Sequence, residues 1–358
     1  MNHRLRTLSW SASLATAVGV SLLGAGCATE STSGPTSAGS PTRINSASNS
    51  ASNSGISATP ALNQYVQGYR AYRRGDAEGA RATLESAVQS NPDLLMARAI
   101  LGEIYRKNND FSSAARQYEV LTKTDPYTLN NHYYLGVSYQ FLQRFRESAV
   151  AYLRGLEIDP NDFRSNMNVG TVYLALGELD KATKYLDHAT QIDPSSAVAW
   201  SNLGVALDAR NSLVLAETSY RKAIERSPGS QAIVQNLANN LLAQKKTGEA
   251  IYLWEQIVEK NPTSFTQTKL AEAHTQGGDF PKAMARLDAV LTADPRYVPA
   301  LNARAAAYIR QYELSGFSQD NLRVQAVDSL TKSLALNSGQ TTISEQLNKW
   351  KSASAIGR

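Results

Sequence analysis

Seven prolines, Pro92, Pro126, Pro160, Pro194, Pro228, Pro262 and Pro295, recur at five steps of 34 residues and a last step of 33. Each follows a turn-prone residue: Asn91, Asp125, Asp159, Asp193, Ser227, Asn261 or Asp294. Proline pushes the residue before it out of the α region, so each pair marks the end of a helix. A period of this length predicts a solenoid, in which stacking of neighbouring units makes the core because no unit buries its apolar face alone. Function is then to be sought on a surface rather than in an enclosed pocket.

The residues between the prolines define a register. With each proline at position 32, position 8 is Gly68, Gly102, Gly136, Gly170 and Gly204, then Ala238, Ala271 and Ala305. Position 20 is Ala80, Ala114, Ser148, Ala182, Ala216, Ala250 and Ala283. Small side chains at these places let two helix backbones approach, where a larger group would overpack the contact. Bulky partners stand nearby: Leu101, Leu135 and Val169 at position 7, Tyr105, Tyr139 and Tyr173 at position 11, and Leu84, Tyr118, Tyr152, Tyr220 and Trp254 at position 24. The spacing is helical on both sides of a break near positions 14 to 16, where Gly75, Asn109, Gly177, Asn211 and Gly278 tolerate φ > 0. Each unit is predicted to be a helix-turn-helix pair.

This small and large pattern resembles the tetratricopeptide repeat (TPR), with units running from about 61 to 297. The resemblance implies an all-α fold, a right-handed TPR solenoid of about eight helix-turn-helix repeats, occupying residues 61–340. Seven units are clear. The eighth begins at Val298 and is expected to carry an inserted loop over 312–321 before Ala326, Leu330 and Leu334 restore helical spacing. Residues 341–358 read as a capping helix and tail, with Ile343, Leu347 and Trp350 on one face.

Two segments precede the repeats. Residues 1–26 carry a basic start (His3, Arg4, Arg6) and a weakly apolar stretch ending in small residues, as in a secretory signal peptide. Cys27, the one cysteine of the chain, follows directly. The arrangement resembles the lipobox of bacterial lipoproteins, with Gly24 where leucine is usual, and implies acylation of Cys27, cleavage before it and palmitate-like anchoring. An ordinary signal peptide ending at a free cysteine and a transmembrane helix are the other readings, the latter disfavoured by the Ser, Thr and Gly that dilute the apolar stretch. By the family's sorting rule, Ala28 favours the outer membrane, with the protein facing the periplasm. The rest of 27–60 is rich in Ser, Thr, Ala and Asn with Glu30 and Arg43 as its charges, a composition expected to form a disordered tether. A coil of that length reaches on the order of 30 Å.

The formal charge is +5, and loss of Arg4 and Arg6 with the signal leaves only three more basic than acidic side chains. Cations and anions are interspersed, which describes solvated helix faces and gives no reason to expect nucleic acid as a partner. No P-loop, G-x-G-x-x-G or H-E-x-x-H occurs, the four histidines are scattered, and no nucleophile has an assignable base. No enzyme activity, cofactor or metal is expected.

In the TPR family the first helices line a concave groove, with positions 2, 5, 6, 9, 12 and 13 facing it. Position 6 is Asn168, Asn202 and Asn236 in three consecutive units. Side-chain amides both donate and accept, and such a row resembles the asparagine ladder of the TPR region of O-linked N-acetylglucosamine transferases, implying contact with the backbone of an extended peptide. The alternative is that these asparagines are solubilising helix residues. Arg164, Met167, Thr171 and Leu174 in one unit, and Gln235, Asn239 and Leu242 two units later, complete a mixed strip. Tyr65, Tyr69 and Tyr72 occupy groove positions of the first unit and read either as a binding anchor or as an end cap. The carboxylate-clamp pattern of chaperone-binding TPR domains is not completed.

Acylated cysteine, tether and TPR array together look like the lipoproteins of Flp and type IV pilus assembly. They imply a membrane-anchored scaffold for protein partners or extended peptides of an envelope complex, in pilus or secretion assembly. Adaptors for outer-membrane protein assembly, cell-wall hydrolases or polysaccharide export share the architecture. The sequence leaves the oligomeric state open.

Overall fold

A computed structural model of the protein describes residues 59–352. Cys27, the signal peptide, nearly all of the tether and the end of the tail lie outside the described residues. Within them are seventeen α-helices and no strand. The first members of the helix pairs are α1 (Pro60–Arg73), α3 (Leu95–Lys107), α5 (Leu129–Phe141), α7 (Phe163–Ala175), α9 (Ala197–Ala209), α11 (Gln231–Ala243), α13 (Ser264–Gly277) and α15 (Val298–Leu314). The second members are α2 (Ala77–Ser90), α4 (Phe111–Thr124), α6 (Phe145–Ile158), α8 (Leu179–Ile192), α10 (Leu213–Arg226), α12 (Thr247–Lys260), α14 (Phe280–Ala293) and α16 (Asp320–Leu336), with α17 (Thr341–Ser352) last. Consecutive helices pack as pairs, the packing of a TPR solenoid. The chain divides into unit 1, up to Ala206, and unit 2, from Leu207 onward.

The pairing follows from the register. In unit 1 a Cβ added to Gly68 would meet Leu84 at 2.6 Å, and one added to Gly102 would meet the Tyr118 ring at 2.8 Å. The same closeness joins Gly136 to Tyr152 and Gly170 to Leu186. Position 8 is therefore where the large side chain of position 24 rests on bare backbone. Ser148, standing where other repeats have alanine, donates its hydroxyl to the Gly136 carbonyl at 2.7 Å, which satisfies a fully buried polar group. In unit 2 position 8 is Ala238 and Ala271, and the core there is built on Trp254, Leu270, Leu287 and Leu301.

The prolines close helices through two further contacts. The residue before each is extended, as at Asn91 (φ −142°, ψ 97°) and Asp159 (φ −133°, ψ 98°). At five of the prolines that residue's side chain accepts from the amide two residues on, across the proline, as Asp159 does from Asn161 at 2.9 Å, Asp193 from Ser195 at 3.0 Å and Asp294 from Arg296 at 2.9 Å. The carbonyls of the first four then accept from position 4 of the next first helix. Arg98 Nε donates to Pro92, His132 Nε2 to Pro126, Asn166 Nδ2 to Pro160 and Trp200 Nε1 to Pro194, at 2.7 to 3.0 Å. Because a carbonyl only accepts, this contact fixes the proton of His132 on Nε2.

Every turn within a pair has its position-15 residue in the left-handed region. Gly75, Asn109, Gly177, Asn211 and Gly278 are joined there by Gln143 (φ 57°) and Lys245 (φ 63°).

The eighth repeat departs from expectation. The stretch 312–321 is not a loop of that length: α15 runs on to Leu314 and α16 starts at Asp320, so each helix is longer and only a short turn remains. The turn takes two left-handed residues, Gly316 and Phe317, and Tyr312 holds the Phe317 ring edge-on at 5.3 Å. Extending two packed helices keeps backbone hydrogen bonds satisfied where a long loop would leave them to solvent. Asn337 retains the side-chain turn, accepting from Gly339 at 3.2 Å, although no proline follows it. Helix α17 covers the end of unit 2, burying Leu347 and Trp350 against Tyr312, Leu322 and Leu330, while Arg323 donates to the Trp350 carbonyl at 3.0 Å.

Candidate peptide-binding surface

In unit 1 the first helices α1, α3, α5 and α7 carry the predicted binding positions, and the structure places them in three different roles. Tyr65 and Tyr72 pack half-buried against the cluster of Leu84, Leu101 and Ile104. Tyr65 donates its hydroxyl to Met96 Sδ at 3.7 Å. Burial, with Glu103 adding to it, pushes the Tyr72 hydroxyl up to about 12, and Lys107 Nζ lies 5.8 Å from its ring centre. Tyr69 remains exposed, stacked on Tyr65 at 6.1 Å and in contact with Arg73. The three tyrosines thus divide between packing into the next repeat and open surface.

Asn168 is buried and donates its amide to the Tyr133 hydroxyl of the preceding repeat at 3.3 Å. Its backbone carbonyl accepts from Thr171, also buried. Asn202, one repeat on, is buried to 7% exposure. Arg164 lies with its guanidinium 4.4 Å from the Tyr133 ring centre, donates to Asn130 at 2.9 Å and stands 3.6 Å from Asp162. Met167 is half-buried beside it and Leu174 is buried. In this unit the Asn168 amide serves the packing between repeats, Asn202 is buried, and the cations and tyrosines form the more accessible chemistry.

In unit 2, Asn236 and Gln235 are half-buried and Asn239 is exposed on α11, with Leu242 packed at the edge of the Trp254 core. Beneath α11, Asn240 donates to Asp208, which also accepts from Tyr220 at 2.8 Å. Burial raises the Asp208 carboxyl, against the two hydrogen bonds that lower it. These groups hold the helices in place.

Sequence reasoning missed one feature. A cavity of about 900 Å³ lies between α4, α5 and α6, lined by Pro126, His132, Val150, Arg154 and Ile158 and flanked by the exposed Tyr127. It is built from α6 side chains together with His132, Leu135 and Tyr139 of α5, on a side of that helix to which the repeat register assigns no binding role. Among the described residues no group of three or more His, Cys, Asp or Glu is placed to hold a metal ion, and no helix is long and apolar enough to cross a membrane.

Residues 65–127 and 163–196 match tetratricopeptide repeat family models. No curated protein matches the chain. Among solved structures, the anaphase-promoting complex hetero-tetramer Cut9–Hcn1 aligns at 14% identity and a TM-score of 0.51, over 76% of this chain and 52% of that one. A tetratricopeptide repeat protein from Parabacteroides merdae aligns at 16% identity and a TM-score of 0.46, over 81% and 98% of the two chains. YrrB, described as a TPR protein with an unusual peptide-binding site, aligns at 18% identity and a TM-score of 0.41, over 55% and 98%. The two matched segments and the succession of helix pairs give this chain the fold of a TPR solenoid, a fold it shares with Cut9–Hcn1.

Proposed function

We propose that the protein is a lipid-anchored envelope scaffold that holds extended segments of partner proteins along its first helices, in assembly of a pilus or secretion complex. The observation that carries the scaffold reading is the repeated first-helix surface itself. Polar and aromatic groups stand on it at the groove positions of the register, Tyr69 and Asn239 at position 9 and Arg164 at position 2, while the helix cores behind are closed. Such a surface offers many weak, evenly spaced contacts and no reactive constellation, which suits binding rather than catalysis. The anchor rests on Cys27 placed after small residues at the end of a signal-like stretch. Acyl chains on that cysteine, added together, hold a protein at a membrane where one chain is marginal.

Two measurements test this. Growth with a labelled fatty acid should mark the wild type and leave Cys27→Ser unlabelled; label retained by the variant rules the anchor out. Crosslinking in intact cells, comparing wild type with Tyr69, Arg164 and Asn239 all changed to Ala, should show a changed set of partners for the variant, with secretin or pilus subunits among those lost. An unchanged set removes these side chains from the binding surface.

A further inference from the structure

The first-helix surface of unit 1 carries more cations than anions. Arg73, Arg106, Lys107 and Arg164 occupy its register positions, and Glu103 is the one carboxylate among them. That carboxylate is already engaged, by Lys107 Nζ at 2.7 Å and by Tyr72, and its charge is shared with the nearby Arg106. Arg106 forms no ion pair with any described residue; its Nε is buried without a hydrogen-bond partner and its guanidinium lies 4.7 Å from the Tyr134 ring centre. Tyr134 meets Tyr133 edge-on at 5.2 Å, and Tyr133 in turn underlies Arg164. The order Arg106, Tyr134, Tyr133, Arg164 is thus a continuous run of cation–ring and ring–ring contacts across α3, α5 and α7. Arg164 is only loosely balanced, since Asp162, 3.6 Å away, also caps α7 by accepting from the Ser165 amide at 2.8 Å. In unit 2 the first-helix cation Lys269, at position 6, is matched: it sits 2.8 Å from Glu272.

A guanidinium held on an aromatic face is already partly stripped of water and has its in-plane N–H groups fixed for a fork-shaped acceptor. Left without one, a half-buried cation is unfavourable, so the surface gains most from a ligand that brings carboxylates. Around the cations, Leu62, Tyr69 and Met96 are exposed at 41%, 39% and 57%. They offer apolar contact between charges, and an extended chain alternates its side chains in the same way.

We propose that unit 1 binds an extended peptide segment in which acidic residues alternate with apolar ones, its carboxylates received by Arg106 and Arg164 and its apolar side chains laid against Tyr69 and Met96. This rests on the first-helix surface being the peptide-binding surface, and names the chemistry of what it binds.

The test uses the full chain and fluorescein-labelled short peptides in which Glu alternates with Leu, Ala or Pro, beside the same peptides with Gln for Glu, read by fluorescence anisotropy. The Glu peptides are expected to bind about tenfold or more tightly than the Gln peptides, since a charge-assisted contact outweighs a neutral one by at least that factor. Arg106→Gln with Arg164→Gln should abolish the preference, and rising salt should reduce it. The Glu and Gln comparison on the wild type stands even if that variant folds poorly. Equal binding of the two peptides, a preference that survives in a folded double variant, or displacement by an oligothymidylate at equal concentration would each overturn the proposal, the last by assigning the surface to polyanions at large. A photo-crosslinking residue placed at Met96 separates the two levels. Peptides captured there without preference for Glu leave the surface assignment standing and remove its acidic specificity; no capture of any peptide removes both.

Discussion

Gly136 has no room for a side chain, because a Cβ there would stand 2.7 Å from the Tyr152 ring. Gly136→Ala is expected to lose about 1 to 3 kcal/mol in urea unfolding, the cost of overpacking a closed contact. A variant of unchanged midpoint would show that the two helices move apart freely. The opposite sign is expected at Lys245, held at φ 63° with no glycine's freedom. Lys245→Gly should raise stability by up to about 1 kcal/mol, since a side chain in the left-handed region costs about that or more. The first of these positions was plain in the sequence, where glycine and a bulky residue recur sixteen apart. The second was not, because Gln143 and Lys245 adopt a turn that their neighbours advertise with Gly or Asn, and the repeat imposes the conformation regardless of residue type. The donors to the proline carbonyls were hidden for the same reason: Arg98, His132, Asn166 and Trp200 share a role and no chemistry beyond an N–H. His274 is a further case at this scale. It is 2% exposed with no partner on either ring nitrogen, and burial, with Arg286 and Lys282 adding to it and Asp279 and Glu255 opposing, lowers its pKa from 6.5. The neutral ring is favoured in the fold, so stability is fully present above the unfolded value and falls as pH drops through it. The urea midpoint of the wild type should therefore decline between about pH 7 and 5 more than that of His274→Phe; parallel curves would show that the ring is protonated without penalty.

At the scale of elements, helix pairs and their ends were legible because prolines and small residues mark them directly. The length of α15 and α16 was not. Ser315, Gly316 and Ser318 are turn formers, but both helices extend by about a turn and confine the break to residues 315–319. Tertiary packing decides here: Tyr312 is buried against Trp350 and Phe317, so the added helix has apolar neighbours. Helix α17 is the end of this stack and depends on Trp350. In a solenoid each element is stabilised by its neighbours, so Trp350→Ala should speed hydrogen exchange throughout α16 and α17 while leaving α1 to α8 unchanged. Uniform acceleration over the whole chain would mean that unfolding is cooperative across both units.

For the molecule as a whole, cohesion between repeats is polar as well as apolar, and it is sensitive to acid. In unit 2 the Glu217 carboxylate accepts from Arg221, Gln244 and Lys246 at 2.6 to 2.9 Å, tying α10 to the helices that follow. Burial alone would raise it, but these three donors outweigh that and hold it at about 2. A lowered carboxylate contributes stability above its unfolded value of 4.5 and loses it as pH falls toward the folded one. Glu217→Gln should therefore be less stable than wild type at neutral pH, and the gap should close between about pH 4.5 and 2, followed by thermal unfolding. What the sequence conveyed of the candidate site was its register, which put Asn168, Arg164 and Tyr69 on first helices; it did not convey that Tyr133 takes the Asn168 amide or that Arg106 forms no ion pair with a described residue, since both depend on contacts between repeats. Binding of partners along the first helices is what ties the register to function. Photo-crosslinking in intact cells, with the reactive residue at Tyr69, Met96 or Asn239 in one set and at Tyr127, Val150 or Tyr252 in another, addresses that directly: discrete protein adducts are expected from the first-helix set, and adducts confined to the second would contradict it.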